Sequence, residues 1–314
     1  MKKKNFIGTG VWLGMLLCAG VLLPAGCTNG GAPEDGNSDG RVALQVTGGI
    51  HVQTRAHDTK WDKDDPIGIY MFAAGSTTVL EGVENIPYKT GVGDGMFAPS
   101  GTAIYFPIDG SCVDFRAWYP YEDVAETWTA DLTDQSSQAA LDLMTAHAKS
   151  NTEPGGTAYN KNQPKVKLNF SHRLTKLVLN ITGGNGVSDA ELAGLTVKIT
   201  RQWKTALYDP DIDGIGFDEA SADITLLTKA DGKFAEAILF PDDLTHKALT
   251  VGRQLVFTLT TGEVFYWNIP NEKSFNAGEK NIYTISINRT GLEVTSEITD
   301  WTAGNGNGET GSAQ

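Results

Sequence analysis

The sequence predicts an all-β protein. Short runs of alternating apolar and polar residues recur along the chain, Gly- and Asp-rich turns separate them, and helical periodicity is weak. Many short strands with little helix point to β-sandwiches. The length is enough for two domains of ordinary size.

The N-terminus comes first. Lys2, Lys3 and Lys4 precede an apolar run from Phe6 to Leu23, followed by Leu23-Pro24-Ala25-Gly26-Cys27. A basic start, a short apolar stretch and small residues before a cut make residues 1–26 a secretory signal peptide. The Cys directly after Ala-Gly makes it a lipoprotein signal: the Cys27 thiol takes a diacylglyceryl group and becomes the new N-terminus. Pro24 stands where Leu is usual, with Leu23 one place earlier. The alternatives are an ordinary signal peptide that happens to contain a Cys, or an uncleaved anchor. No other apolar stretch is long enough to span a bilayer.

Cysteine usage agrees. Cys18 leaves with the leader and Cys27 is lipidated, so Cys112 remains alone and no intramolecular disulfide forms in the mature chain. Stability must then come from a packed core. The chain is acidic, with 38 Asp and Glu against 25 Lys and Arg, and the leader removes three of the lysines. There is no basic patch, which argues against nucleic acid as a partner. Acidity suits solubility at a cell surface.

Residues 27–41 read as a flexible tether: Gly30, Gly31, Pro33, Gly36 and Gly40 alternate with acids and no apolar anchor appears. Order begins at Val42. Val42, Leu44, Val46, Ile50 and Val52 share one parity, so Val42 to Thr54 predicts a strand with one buried face, and Gly48-Gly49 suggests a bulge or weak point in it. Ile67 to Ala73 is a second strand. Ile104 to Phe106 and Val113 to Trp118 flank an Asp109-Gly110 turn. Ser136 to Ala148 is the best helical candidate, with Ala139, Ala140, Leu143, Met144 and His147. The polar stretch Asn151 to Gln163 reads as a long loop or domain junction. Alternation resumes at Val166-Leu168-Phe170, Leu177-Leu179-Ile181 and Leu195-Val197-Ile199. Leu255, Phe257 and Leu259 lead through Thr261-Gly262 to Val264, Tyr266 and Ile269, a hairpin. Tyr283, Ile285 and Ile287 turn at Asn288 to Gly291 into Leu292 and Val294. These signals give one domain over 42–165, a second over 166–301, and a disordered tail over 302–314.

The search for chemistry returns little. No nucleophile elbow, P-loop or dinucleotide fingerprint is present, and no His pair has metal-ligand spacing. No catalytic set emerges, so the chain is not read as an enzyme. Asp209-Pro-Asp211-Ile-Asp213-Gly214 matches the first half of a calcium loop, with oxygen ligands at one, three and five and a Gly for the turn. Position twelve is Ala220 instead of Glu. A solvated acidic loop is the competing reading; no cofactor is required and calcium is the one candidate. Trp61, Trp118, Trp128, Trp203, Trp267 and Trp301 sit in or beside strands and read mostly as core, with sugar stacking as the alternative.

In this order, Trp61-Asp-Lys-Asp-Asp-Pro-Ile-Gly-Ile-Tyr-Met71, Ile104-Tyr-Phe-Pro107, Val113-Asp-Phe-Arg-Ala-Trp-Tyr-Pro-Tyr121 and Asp142-Leu-Met144 follow the lipobox. Leu168-Asn-Phe-Ser-His-Arg-Leu-Thr-Lys-Leu177, Ala237-Ile-Leu-Phe-Pro241, Phe275-Asn-Ala-Gly278 and Ile298-Thr-Asp-Trp301 come after them. With these segments the chain resembles the fimbrillin-like family, the type V pilus subunits and related surface lipoproteins. The resemblance implies two tandem transthyretin-like β-sandwich domains. It also implies a route: export as a lipoprotein to the outer membrane surface, cleavage after an Arg beyond the first strand, and filling of the opened groove by another subunit's C-terminal strand. Arg55 directly follows Val42 to Thr54 and is the favoured site; a cut at Arg41 would free the lipid and leave the groove filled. The best donor segment is Gly291 to Trp301. If that segment is a fixed strand, the chain does not donate, and it is then a tip subunit or a non-polymerising surface lipoprotein. The expected partners are other pilin subunits, the membrane through Cys27, and an unidentified host or glycan ligand. The competing function is a monomeric surface lipoprotein binding glycan or host protein.

Overall fold

The computed structural model describes residues 40–50, 60–123, 127–210, 212–217, 220–242, 251–300 and 309–312. The leader, Cys27, Arg55 and Asp211 lie outside them.

In chain order the first elements are β1 (Gln45–Ile50), β2 (Pro66–Ala73), β3 (Ile86–Thr90), β4 (Met96–Pro99), β5 (Val113–Tyr119) and β6 (Trp128–Asp131). A single-turn helix α1 (Gln138–Leu141), β7 (Met144–Ala148) and β8 (Lys165–His172) follow. Seven of these strands hydrogen-bond round a closed barrel, in the order β1-β4-β3-β2-β5-β7-β8 and back to β1. Closure leaves no free edge in the ring. Ile67, Ile69, Met71, Phe97, Phe106, Phe115, Val166, Leu168 and Phe170 fill its interior.

The remaining elements are β9 (Thr175–Gly183), α2 (Asp189–Leu192), β10 (Thr196–Trp203), β11 (Thr205–Asp209), β12 (Gly214–Phe217), β13 (Ser221–Thr225), β14 (Leu227–Thr228) and β15 (Phe234–Leu239). The last are β16 (Gln254–Thr258), β17 (Val264–Asn268), β18 (Glu279–Asn288), β19 (Gly291–Asp300) and β20 (Glu309–Ser312). They form a four-stranded sheet, β13-β10-β16-β17, and a six-stranded sheet, β14-β15-β9-β18-β19-β20. Alternate residues of both sheets share one core: Leu177, Leu179, Tyr283 and Ile285 from one, Val197, Ile199, Leu255 and Phe257 from the other.

The strands between the two cores explain an otherwise puzzling stretch of sequence. β2 is apolar almost without alternation because both its faces are covered, and β5 is likewise buried on both faces apart from the half-buried Arg116. Ile67, Ile69 and Met71 point into the barrel, whereas Tyr70, Phe72 and Trp118 belong to the second core. β6 is contributed by the first half of the chain but pairs with β11, which pairs with β12. The two units therefore share strands and faces.

Three expectations change. The boundary expected at 165/166 falls at the start of β8, and β8 pairs in parallel with β1 and antiparallel with β7. The chain crosses to the second core only at Arg173-Leu174, and Asn151 to Gln163 is a loop inside the first unit. The helix expected over Ser136 to Ala148 stops at Leu141. Met144, Ala146 and Ala148 alternate into the barrel as β7, and pairing with β5 overrides the helical spacing. The tail expected to lack structure contributes β20, which pairs with β19 from Glu293↔Ser312 to Ser296↔Glu309.

Candidate functional site

The site begins with β1. Its alternation places Leu44, Val46 and Gly48 inward and Gln45 and Thr47 outward. On one side β1 runs parallel to β8 from Gln45↔Lys165 to Ile50↔Phe170. On the other it pairs antiparallel with β4 at Val46↔Phe97 and Thr47↔Met96. The seating extends upstream: Leu44 N donates to Ile104 O at 2.9 Å, and Phe106 N donates to Val42 O at 3.0 Å. The expected Ile104 to Phe106 strand is thus reduced to an isolated bridge, Ala43↔Tyr105.

Gly48 is neither a bulge nor a weak point. The register past it is continuous, and a side chain there would enter the rings of Phe97 and Phe170. Trp61 closes the same spot. Its Nε1 donates to Gly48 O at 2.8 Å, and its ring meets Phe97, Tyr119 and Phe170 edge-on at 5.0, 5.5 and 5.1 Å. β1 is therefore a two-sided insert held by aromatic packing. Without it, the backbone of β4 and β8 and the inner faces of Phe97 and Phe170 would open to water.

At the downstream end of β1 lies a cavity of about 280 Å³. Ile50 and Lys60, the described residues on either side of 51–59, both line it. Asp62 and Asp65 come from the segment before β2, Tyr119 from the end of β5, and Asp142 from the end of α1. Lys176 of β9 and Glu236 of β15 supply the far wall, which belongs to the second unit. Two of the carboxylates are matched: Asp142 meets His172 Nδ1 at 2.7 Å, and Glu236 meets the buried Lys176 Nζ at 3.1 Å. Among the described residues, Asp65 receives the Asp62 backbone N–H, at 2.6 Å, and a long contact from Tyr119 OH, at 3.4 Å. Burial pushes the Asp65 carboxyl up, with the Asp62 and Asp142 charges adding to it. Burial also pushes the Tyr119 phenol well up, reinforced by Asp65 and Asp142.

Of the residues singled out in sequence, Arg41 is exposed just before β1, its guanidinium 5.9 Å from the Tyr105 ring. Cys112 is a free, half-buried thiol. Trp118 and Trp128 are fully buried, and Trp61, Trp203 and Trp267 are buried too, so none of these offers a face to a sugar. In the acidic loop, Asp213 is already engaged. Its carboxylate meets His147 Nε2 at 2.9 Å, Tyr208 OH at 3.0 Å and Arg173 Nη1 at 3.6 Å. Burial raises the Asp213 carboxyl, but the His147 hydrogen bond and the Arg173 charge outweigh it and hold the group below the usual range. A calcium ion would have to displace these partners. No group of three or more metal-ligating side chains occurs among the described residues.

Sequence reasoning missed the cavity. Its residues come from six separate segments, and no single motif carries them.

Comparison with known proteins bears on the whole chain. The profile of the Fimbrillin-like family matches residues 54–301. A proposed fimbrium subunit, Fim1C, of Bacteroides uniformis is 39% identical over 310 residues, covering 95% of this chain and 97% of that one. A crystal structure of a proposed cell-adhesion protein from Bacteroides uniformis superimposes with a TM-score of 0.70 at 34% identity, covering 85% of this chain and 100% of that one. A second, from Bacteroides ovatus, shares the fold at a TM-score of 0.65 and 18% identity, covering 84% and 99%.

Proposed function

The chain belongs to the fimbrillin-like family, and from that premise we propose that it is a pilus subunit, exported as a lipoprotein through Cys27, that accepts a strand from a neighbouring subunit and serves adhesion. One observation carries the reading: β1 sits between β4 and β8 in a closed barrel, so its removal leaves a slot with two unpaired backbone edges and an aromatic floor. A donated strand repairs both by β-augmentation. Arg55 lies within 51–59, directly after the predicted first strand, and a cut there severs β1 from the rest. A cut at Arg41 would leave β1 in place.

The C-terminal side favours a tip or other terminal subunit. The segment that would act as donor, Gly291 to Trp301, contains β19. That strand pairs with β18 from Asn288↔Gly291 to Glu279↔Asp300, and its Leu292 and Val294 are in the core. A strand so fixed is not available for donation. Glu309 to Ser312, further on, is Glu-Thr-Gly-Ser, with no apolar side chain to fill a groove.

The test is limited digestion with an arginine-specific protease, followed by electrophoresis without boiling and by titration with a synthetic peptide of residues 42–54. The expected product begins at Ala56, stays monomeric, and binds the peptide once its own strand is removed. Detergent-resistant ladders from this chain alone would overturn the terminal-subunit reading and leave strand acceptance standing. A cut product that neither loses β1 nor binds the peptide would overturn strand acceptance itself.

A further inference from the structure

We propose that the α-ammonium created at Ala56 by cleavage after Arg55 docks in the cavity beside β1, against Asp65. The inference rests on the cleavage reading above and adds the fate of the new terminus. Hydrolysis of the Arg55–Ala56 bond consumes one water and leaves a carboxylate on Arg55 and an ammonium on Ala56. The first departs with β1. The second stays four residues upstream of Lys60, which lines the cavity. Four extended residues span roughly 13–14 Å, enough to reach any wall of a cavity this size.

Charge complementarity selects the occupant. Among the described residues the cavity holds Asp62, Asp65, Asp142 and Glu236 against Lys60 and Lys176. His172 answers Asp142, and Lys176 answers Glu236. Among the described residues no cation pairs with Asp65, a half-buried carboxylate bonded only by a backbone N–H and a phenol. A buried carboxylate left in this state is costly, and one cation bonded to it removes most of that cost. The ammonium suits the place because it is small, carries three donors and is delivered by the adjoining segment. Docked, it ties the residues after the cut to the wall shared by the barrel and the second unit. The cut is thereby registered at the junction of the two.

The test uses a chain in which V52I, Q53E and T54G make the segment before the bond Ile-Glu-Gly-Arg55. Factor Xa then cuts after Arg55 whether or not an arginine-specific protease does so in the native sequence. The chain is labelled with ¹³C-alanine, and titration of the unmodified Ala56 amine is followed by NMR through the alanine resonance that appears on cutting. Docking against Asp65 should raise its proton affinity about tenfold over an ordinary α-amine, as an opposite charge within ~4–6 Å does. In D65N the amine should return to the ordinary range. A second readout guards against misfolding. D65N should raise the melting temperature of the uncut chain at neutral pH, because an unanswered charge is gone, and lower that of the nicked chain, because a pair is lost. An amine that titrates as an ordinary α-amine in the nicked wild type overturns the proposal and leaves the cavity to a foreign ligand. So does a raised value that survives D65N. If the arginine-specific protease spares Arg55 but the nicked variant shows the shift, the docking stands and the native cleavage reading falls.

Discussion

Replacing Gly48 with alanine should loosen β1, and replacing its neighbour Gly49 should not. A Cβ at Gly48 would lie 2.6 Å from Cε2 and 3.2 Å from Cδ2 of Phe97, and 3.3 Å from Cε2 of Phe170. Phe97 has little room to yield, because it is 6% exposed and packed edge-on against Trp61. Overpacking of this kind costs about 1–3 kcal/mol. A Cβ at Gly49 meets only Asn169 Oδ1 at 3.9 Å, an ordinary contact. Both substitutions reduce the freedom of the unfolded chain and so gain about 0.4–1 kcal/mol. That gain is common to the pair and cancels, so the difference isolates the clash. G48A should be less stable than G49A by about 1–3 kcal/mol, roughly five- to over a hundredfold in the folding equilibrium. Urea unfolding of the uncut chains measures it as a shift in midpoint at constant slope. Equal midpoints would mean that Phe97 and Phe170 do not close over β1, and the aromatic floor of the slot would have to be abandoned.

Three further outcomes follow from the side chains around the two cores. Arg253 forks onto Asp242 at 3.0 and 2.9 Å, donates to Lys273 O at 2.8 Å and stacks on Phe275 at 4.0 Å, with the pair almost fully buried. D242A should therefore cost about 3–5 kcal/mol in urea unfolding, and R253K should also destabilise because lysine cannot span both oxygens. The Asp213 carboxyl is held below its ordinary value by the His147 hydrogen bond and Arg173 against the effect of burial. A depressed acid contributes stability that is complete above its unfolded value near 3.8 and is lost as pH falls through the folded value. D213N should then cost about 1–3 kcal/mol at pH 7 and progressively less in acid, and a pH-independent penalty would refute the charge-based account. Calorimetric titration with calcium should give no binding heat, since Asp213 is already engaged; heat abolished by Asp211→Ala would reverse that reading.

Much of this was legible in the residues, for physical reasons. Where one face of a strand is wet, period two survives, so β1, β8 and the β16–β17 hairpin at Thr261-Gly262 were readable from alternation. Gly262 takes φ +90 at that turn, which is why a glycine marks it. The helix reading of Ser136 to Ala148 failed because apolar residues there serve two elements in succession, the Leu141 turn and then the inward side of β7. The domain boundary failed because β8 alternates identically whichever unit it joins, and only its partner β1, far away in sequence, decides. The cavity left no local signature at all: Asp65, Asp142 and Glu236 acquire meaning only when the two units bring them together.

The two units show why release would act on the first. β1 and β9 hold matching positions. Each opens its unit, runs parallel to a late strand of it (β8 and β18) and antiparallel to another (β4 and β15). Their attachments differ. β9 is joined to β8 through Arg173-Leu174, so freeing it would need a cut on both sides. It is paired along its length with β15 and β18, and its Lys176 is buried against Glu236. β1 is in register with β4 at Val46 and Thr47 and keeps its outer face wet, and one cut within 51–59 separates it from everything downstream. Sheet energetics alone would let either strand be exchanged. On the proposed strand-acceptance reading, chain connectivity would restrict exchange to β1, while the second unit supplies Lys176 and Glu236 to the cavity at the downstream end of that strand.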